Sequence, residues 1–355
     1  MFNTDKLSKV LPKFADAALI LSPENRRYFT QFDSSAGALL VTAYGAVFFT
    51  DSRYIEAASD KLGAENVMDS ANLYETLDGL FSQYGINNIA VENDRLTIAE
   101  YERLRSKLRG YDFNVTSSLS GAIEEIRLVK GEDEIESIIA AQRIAEKAFE
   151  HICGFIREGI TEREISLELD FYMLSHGAEA LSFETIAVSG AKSSMPHGVP
   201  GDNTVKKGDF ITMDYGAVVN GYHSDMTRTV AVGTPSEKQI SVYNTVLEAQ
   251  TAALAVLKEG VSGFDADKAA RDIIEKAGYG PNFGHSTGHG VGIEIHEAPN
   301  LSTKSSYILQ TGHVVTVEPG IYIPGEFGVR IEDMAVITEN GCRNLTNTPK
   351  ELIIL

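Results

Sequence analysis

The sequence predicts two domains, an α/β domain over residues 1–122 and a larger α+β domain over 123–355, on three observations. In the first third, short apolar runs alternate with amphipathic segments. At "SSLSGAIEEIRLVKGEDEIE" the character turns charged and helical, which puts the boundary near 122. In the second region "GDFITMDYG" (208–216) and "GHVVTVEPG" (312–320) agree at Gly208/Gly312, Thr212/Thr316 and Gly216/Gly320, and both carry an acid at the seventh position, Asp214 and Glu318. A chain of 355 residues has material for two cores.

Taken in order, "ALILSP", "GALLVTAYG", "AVFFTD" and "NIAVEN" read as strands, and 73–84 and 98–109 as helices. A long helix is expected over about 131–157. "GITEREISLEL" opens another, with Thr161 and Glu164 at capping-box spacing. Strand signals follow at 183–190, 209–218, 222–232, 312–323 and 328–338, with helices at about 236–258 and 264–277 between them. No stretch is of low complexity.

Fifty acidic against 31 basic residues give a formal charge of -19, which opposes nucleic-acid binding and repels an anionic membrane surface. Two cysteines, Cys153 and Cys342, form neither a disulfide framework nor a thiolate metal site, so a reducing cytoplasm is expected. The first residues are amphipathic and lack an apolar core with a cleavage site. No run reaches the ~20 apolar residues of a membrane span.

The segment "FGHSTGHGVGIEIHEAP" (283–299) holds His285, His289 and His296. His285 and His289 stand four apart like the paired ligands of a helical zinc protease, but Ser286 occupies the place of that motif's glutamate. Glycines 284, 288, 290 and 292 oppose a helix, each costing about 1 kcal/mol relative to alanine. In an extended segment the two histidines lie roughly 13 Å apart, too far to share one ion. At most one ligates, and its partners come from elsewhere.

Asn220-Gly221 is a two-residue hairpin signal; pairing about it sets Asp214 opposite Thr227 and Asp225 opposite Gly216. The two aspartates are then diagonal neighbours on one face, roughly 7–8 Å apart at the backbone. The second repeat carries Glu318 and, on its following strand, Glu332. Four acids among apolar strands are costly to bury without cations. Oxygen-rich ligands with one imidazole suit manganese, cobalt, iron or zinc, and five ligands suit two ions about 3.5–4 Å apart with a shared hydroxide as nucleophile. Hydrolysis is the natural reaction class.

Asp214, Asp225, His289, Glu318 and Glu332, in that order and context, resemble the five metal ligands of the pita-bread metallopeptidases, the family of methionine aminopeptidase, Xaa-Pro aminopeptidase and prolidase. The likeness covers essentially the whole chain. "YFTQFDSSAGALLVTAYGAVFFTDSRY" resembles the N-terminal domain of the proline-specific branch, and "FETIAVSGAKSSMPHGVPGD" its approach to the active site. It implies a pita-bread catalytic domain of two quasi-symmetric αβ halves after a smaller α/β N-terminal domain. It also implies two divalent ions, foremost Mn2+ with Co2+ or Zn2+ as alternatives, a proline-containing peptide substrate and a homodimer.

By the same resemblance Asp214 is a bidentate ligand of one ion, Asp225 and Glu332 bridge both, and His289 and Glu318 hold the other. Glu318 also acts as general base. His197, in "MPHG", contacts the scissile peptide and stabilises its oxyanion; His296 contacts substrate and relays protons; His285 shapes the proline pocket. Arg330, two residues before Glu332 on the same strand face, orients the ligand carboxylates. His151, His176, His223 and His313 read as ordinary helix, surface or strand residues.

The activity these residues imply is an Xaa-Pro aminopeptidase, with an Xaa-Pro dipeptidase as its alternative. The large N-terminal domain opposes a methionine aminopeptidase. All five ligands are present, which opposes both a creatinase-like amidinohydrolase and a catalytically inactive binding module.

Overall fold

A computed structural model describes residues 4–355. The chain divides into two compact units, one reaching to Arg127 and one running Leu128–Leu355.

The first unit is a six-stranded mixed sheet in the spatial order Val67–Asp69, Gly45–Thr50, Ala38–Thr42, Ala17–Ile20, Asn88–Val91, Asp112–Asn114. Its three central strands pair antiparallel and the flanking ones parallel. Leu19, Leu40, Phe49 and Val91 pack with Leu77 and Phe81 of the helix Leu73–Tyr84. Each such buried side chain contributes roughly 1.5–3 kcal/mol.

The second unit repeats one motif. The hairpin strand Phe210–Tyr215 pairs antiparallel with Met226–Ala231, backed by the helices Glu132–Phe155 and Glu162–Ser175. Val314–Val317 pairs with Asp333–Thr338, and Gly320–Ile323 with Phe327–Arg330, backed by Glu237–Val256 and Gly263–Lys276. Two αβ halves therefore lie in the second unit, the pita-bread arrangement that the resemblance implies.

Local chemistry explains the helix starts. Thr161 and Ser236 each accept from the backbone three residues on, while Glu164 and Gln239 reach back to the cap, so two orphan amides are satisfied at each end. Glu132, Asp133 and Glu134 crowd the first turn of the long helix, where its dipole favours negative charge.

The hairpin register is that of the turn signal. Asn220 and Gly221 both adopt positive φ, 51° and 82°, as a type I′ turn requires, and Thr227 stands opposite Asp214. At Gly216 the hairpin passes from one sheet to another: the Gly216 carbonyl accepts from the Ser182 amide, while the Ser224 amide donates to the Ala217 carbonyl and Ala217 to the Ser224 hydroxyl. A Cβ on Gly216 would lie 1.9 Å from the Ser224 carbonyl oxygen, so only glycine permits this approach. The register is the same on both sides of this step, Val218 with His223 and Tyr215 with Met226, so Asp225 lies at the level of Gly216.

Candidate metal centre

Alternation along Phe210–Tyr215 sends Ile211, Met213 and Tyr215 into the helix-backed core and leaves Thr212 and Asp214 on the opposite face. The second hairpin does the same with Val315 and Val317 against Thr316 and Glu318. The paired threonines couple the halves. Thr212 and Thr229 hydroxyls bond at 3.0 Å, and Thr229 bonds both the carbonyl and the amide of Arg330, at 3.0 and 3.2 Å. Thr316 Oγ1 accepts from the His289 amide at 3.1 Å and lies 3.3 Å from Glu318 Oε1.

His289 is carried by the short strand Gly288–Gly290, whose glycines let the backbone approach its neighbours: a Cβ at Gly288 would lie 2.0 Å from the Thr316 carbonyl oxygen. Its Nδ1 faces the Gly290 carbonyl at 3.0 Å and must carry the proton. The Nε2 lone pair then points at Glu318 Oε1, 3.4 Å away, and Asp225 Oδ2, 3.5 Å away. Burial pushes the His289 ring down to about 4, so these contacts are not ion pairs. A neutral imidazole lone pair and two carboxyl groups converge on one point.

The carboxylates fit the same reading. Ligand atoms of Asp225, His289 and Glu332 lie within 4.8 Å of one another. Asp214 Oδ1, Asp225 Oδ1 and Glu332 Oε1 are buried without a hydrogen-bond partner. Burial first, then the neighbouring carboxylates, raises Asp225 and Glu332 well above the carboxylate range; burial, with Asp214, lifts Glu318 to about 8. Orphaned, oxygen-rich and mutually repelling, the set fits divalent cations.

Arg330 closes one side. Its guanidinium donates to Asp214 Oδ2 at 2.5 Å, to the Thr227 hydroxyl at 3.0 Å and to the Tyr322 hydroxyl at 2.8 Å. Burial opposes its charge, yet Tyr322 and the facing carboxylates hold its pKa well above the ordinary arginine value.

A cleft of about 520 Å³ is lined by Asp214, Asp225, His289, Glu318 and Glu332, and also by His197, His285, His296 and Arg330. All nine residues singled out from the sequence therefore meet in one place. His197 lies exposed in the loop after the 3-10 turn Gly190–Ser194. His296 is exposed too, its ring centroid 4.4 Å from that of His289. His285 donates Nδ1–H to the Ser286 carbonyl at 2.8 Å and accepts the Tyr322 hydroxyl at Nε2 over 2.9 Å. Both its nitrogens are engaged, so it offers the cleft an apolar surface.

Sequence reading missed the groups that hold these histidines. Tyr322 links His285 to Arg330. Asp267, 1 % exposed, accepts from the amide and hydroxyl of Thr287 and pairs with Arg271, which donates to the carbonyls of Phe283 and His285. Lys130 and Glu297 pair at 2.7 Å beside His296. Glu162 gathers the stems of the His197 loop. Acids flanking Thr161 and His296 were the available signal, but only folding gives them their donors.

The sequence profile of metallopeptidase family M24 matches residues 136–339, and that of the creatinase/prolidase N-terminal domain matches 10–129. An uncharacterized peptidase of Bacillus subtilis is 45% identical over 341 residues, 96% of each chain. The structure of an Xaa-Pro dipeptidase from Bacillus anthracis superposes with a TM-score of 0.95 at 43% identity, covering 99% of both chains. That of an X-Pro aminopeptidase from Thermotoga maritima gives 0.91 at 37% identity, covering 96% of this chain and 98% of that one.

Proposed function

The chain belongs to metallopeptidase family M24, and from that membership we propose that it is an Xaa-Pro aminopeptidase, releasing the residue that precedes proline at a peptide's N-terminus. The observation that carries this reading is the convergence of Asp214, Asp225, His289, Glu318 and Glu332 with three further histidines in one cleft. We assign the five as ligands of two divalent ions, manganese foremost on the oxygen-rich ligand set. Such ions supply Lewis acidity toward a carbonyl and a water that ionises near neutral pH.

The chain's own groups do the rest. Glu318 faces the cleft and takes the proton of the attacking water, passing it to the leaving nitrogen. His197 donates to the scissile carbonyl oxygen as negative charge develops there. His296, beside His289, contacts the substrate's N-terminal residue and relays protons. Arg330 fixes Asp214 by charge-assisted bonds. Proline brings no N–H, so its ring needs a wall rather than an acceptor, and His285 with both nitrogens engaged provides one.

Among the described residues lining the cleft, Arg330 is the one lysine or arginine, and its donors already serve Asp214, Thr227 and Tyr322. A free proline carboxylate would meet no uncommitted cation there, which favours longer peptides. The second reading, an Xaa-Pro dipeptidase, is favoured by the name of the Bacillus anthracis neighbour. We also place the protein in the cytoplasm as a homodimer and put the domain boundary near 122. The test is hydrolysis of Ala-Pro-Ala, Ala-Pro and Met-Ala-Ala by the manganese-loaded chain. Cleavage of Ala-Pro-Ala is expected; activity on Ala-Pro alone selects the dipeptidase, and activity on Met-Ala-Ala alone refutes both.

A further inference from the structure

His197 has no regular secondary structure to hold it, yet the segment around it is anchored at both stems. Glu162, the first residue of the helix Glu162–Ser175, is fully buried. Its Oε1 accepts from the Ser189 amide at 2.8 Å, the Ser189 hydroxyl at 3.2 Å and the Asn203 side-chain amide at 3.1 Å. Its Oε2 accepts from Lys192 Nζ at 2.7 Å and the Gly201 amide at 3.2 Å. The helix's own first amides complete the joint: Glu162 N–H donates to the Asn203 carbonyl and Arg163 N–H to the Gly201 carbonyl, both at 3.0 Å. These amides have no partner inside the helix, so the returning loop is their cap. Farther along, the Ser193 hydroxyl accepts from the Gly328 amide at 2.9 Å, two residues from Arg330.

We propose that Glu162, paired with Lys192, is a positioning residue that clamps the stems of loop 189–203 and thereby holds His197 against the substrate carbonyl. A buried carboxylate with five donors is costly to disturb, and a donor aimed at a developing oxyanion acts only while its geometry is fixed. At the tip, Met195 and Val199, 58% and 71% exposed, gain little from packing, and the Pro196 carbonyl accepts only a long bond of 3.5 Å from Arg330, so the stems carry most of the anchoring. The inference rests on the proposed contact of His197 with substrate.

The experiment is a double-mutant cycle of Glu162→Gln and His197→Ala in the full, manganese-loaded chain, read by kcat/KM on Ala-Pro-Ala. Glutamine keeps the volume but presents an amide to the donors of Gly201 and Lys192. Glu162→Gln is expected to lower kcat/KM about tenfold or more, chiefly in kcat, with manganese content unchanged. In the His197→Ala background the same change is expected to cost less than about twofold, because the residue being positioned is already gone. Lys192→Met, which leaves the backbone bonds in place, should show a weaker form of the same non-additivity. Amide exchange at Ser189 and Gly201 should quicken in Glu162→Gln and not in His197→Ala. Equal losses in both backgrounds, or unchanged exchange, would overturn the clamp. Wild-type turnover in His197→Ala would instead refute the role of His197. If the wild-type chain cleaves no Xaa-Pro peptide, the peptidase reading fails while the exchange measurement still decides the clamp.

Discussion

Glu318 and Glu332 lie in the step between the Val317–Asp333 and Gly320–Arg330 pairs of the second hairpin, where they are close enough for the Glu318 charge to raise Glu332. Burial and the neighbouring carboxylates raise both, Glu318 to about 8, against about 4.3 in an unfolded chain. In the metal-free protein these groups retain protons that the unfolded chain releases. Their contribution is therefore fully present below about pH 4 and is lost as pH rises toward 8. Bound cations hold the carboxylates ionised and cancel that loss. Buried His285, His289 and His313, each pushed down to about 4, add stability of the opposite trend until pH passes their unfolded value of about 6.5, so the carboxylates are read above it. The thermal midpoint of chelator-treated protein should fall between about pH 7 and 8, and its gap from the manganese-loaded protein should widen; a midpoint that rises over that interval would refute the burial of these charges.

Glu332→Gln should separate binding from stability. The Thr227 hydroxyl keeps an acceptor for its 2.7 Å bond, while one of the repelling charges disappears. At about pH 8 the stripped variant should melt above stripped wild type, by a few degrees for each kcal/mol gained. Added manganese should shift it far less than wild type. Calorimetry showing equal metal-induced shifts would remove Glu332 from the ligand set.

Gly288→Ala tests the backbone approach that places His289. Its Cβ would collide with the Thr316 carbonyl, and backbone on both sides leaves no flexible group to give way. The expected cost is about 1–3 kcal/mol by urea denaturation, with weakened metal binding. Unchanged stability would show that the strand can shift freely.

Behind the centre, Arg228 is 1 % exposed, pairs with Asp333 at 2.8 Å and donates to the carbonyls of Thr227, Thr348 and Pro349. Arg228→Met leaves the buried Asp333 charge with Lys350 as its one cation and with Gln250 and Asn344 as donors. A loss of about 3–5 kcal/mol is expected on chemical denaturation. A loss under 1 kcal/mol would mean that Lys350, Gln250 and Asn344 suffice for Asp333.

What the sequence made legible follows from local chemistry. Asn220-Gly221 dictates a turn, the turn dictates register, and register puts Asp214 opposite Thr227. Capping residues at Thr161 and Ser236 mark helix starts for the same reason. The second hairpin turns at Pro324-Gly325-Glu326, a legible turn whose three-residue loop does not by itself fix the register, so the pairing that brings Glu318 beside Glu332 emerges only from the fold. The strand around His289 was hidden because its glycines lack strand propensity and serve close packing instead. Glu162, Asp267 and Tyr322 escaped notice because their donors come from elsewhere in the chain; Tyr322 meets His285 across 37 positions.

The central claim is that five side chains hold two divalent ions on which Xaa-Pro cleavage depends. The most direct measurement is manganese per chain, counted during reconstitution of chelator-stripped protein, against turnover of Ala-Pro-Ala at each step. The expected result is no turnover in stripped protein, recovery in proportion to occupancy, and saturation near two ions per chain. Full turnover without metal, or saturation with no ion retained, would contradict it.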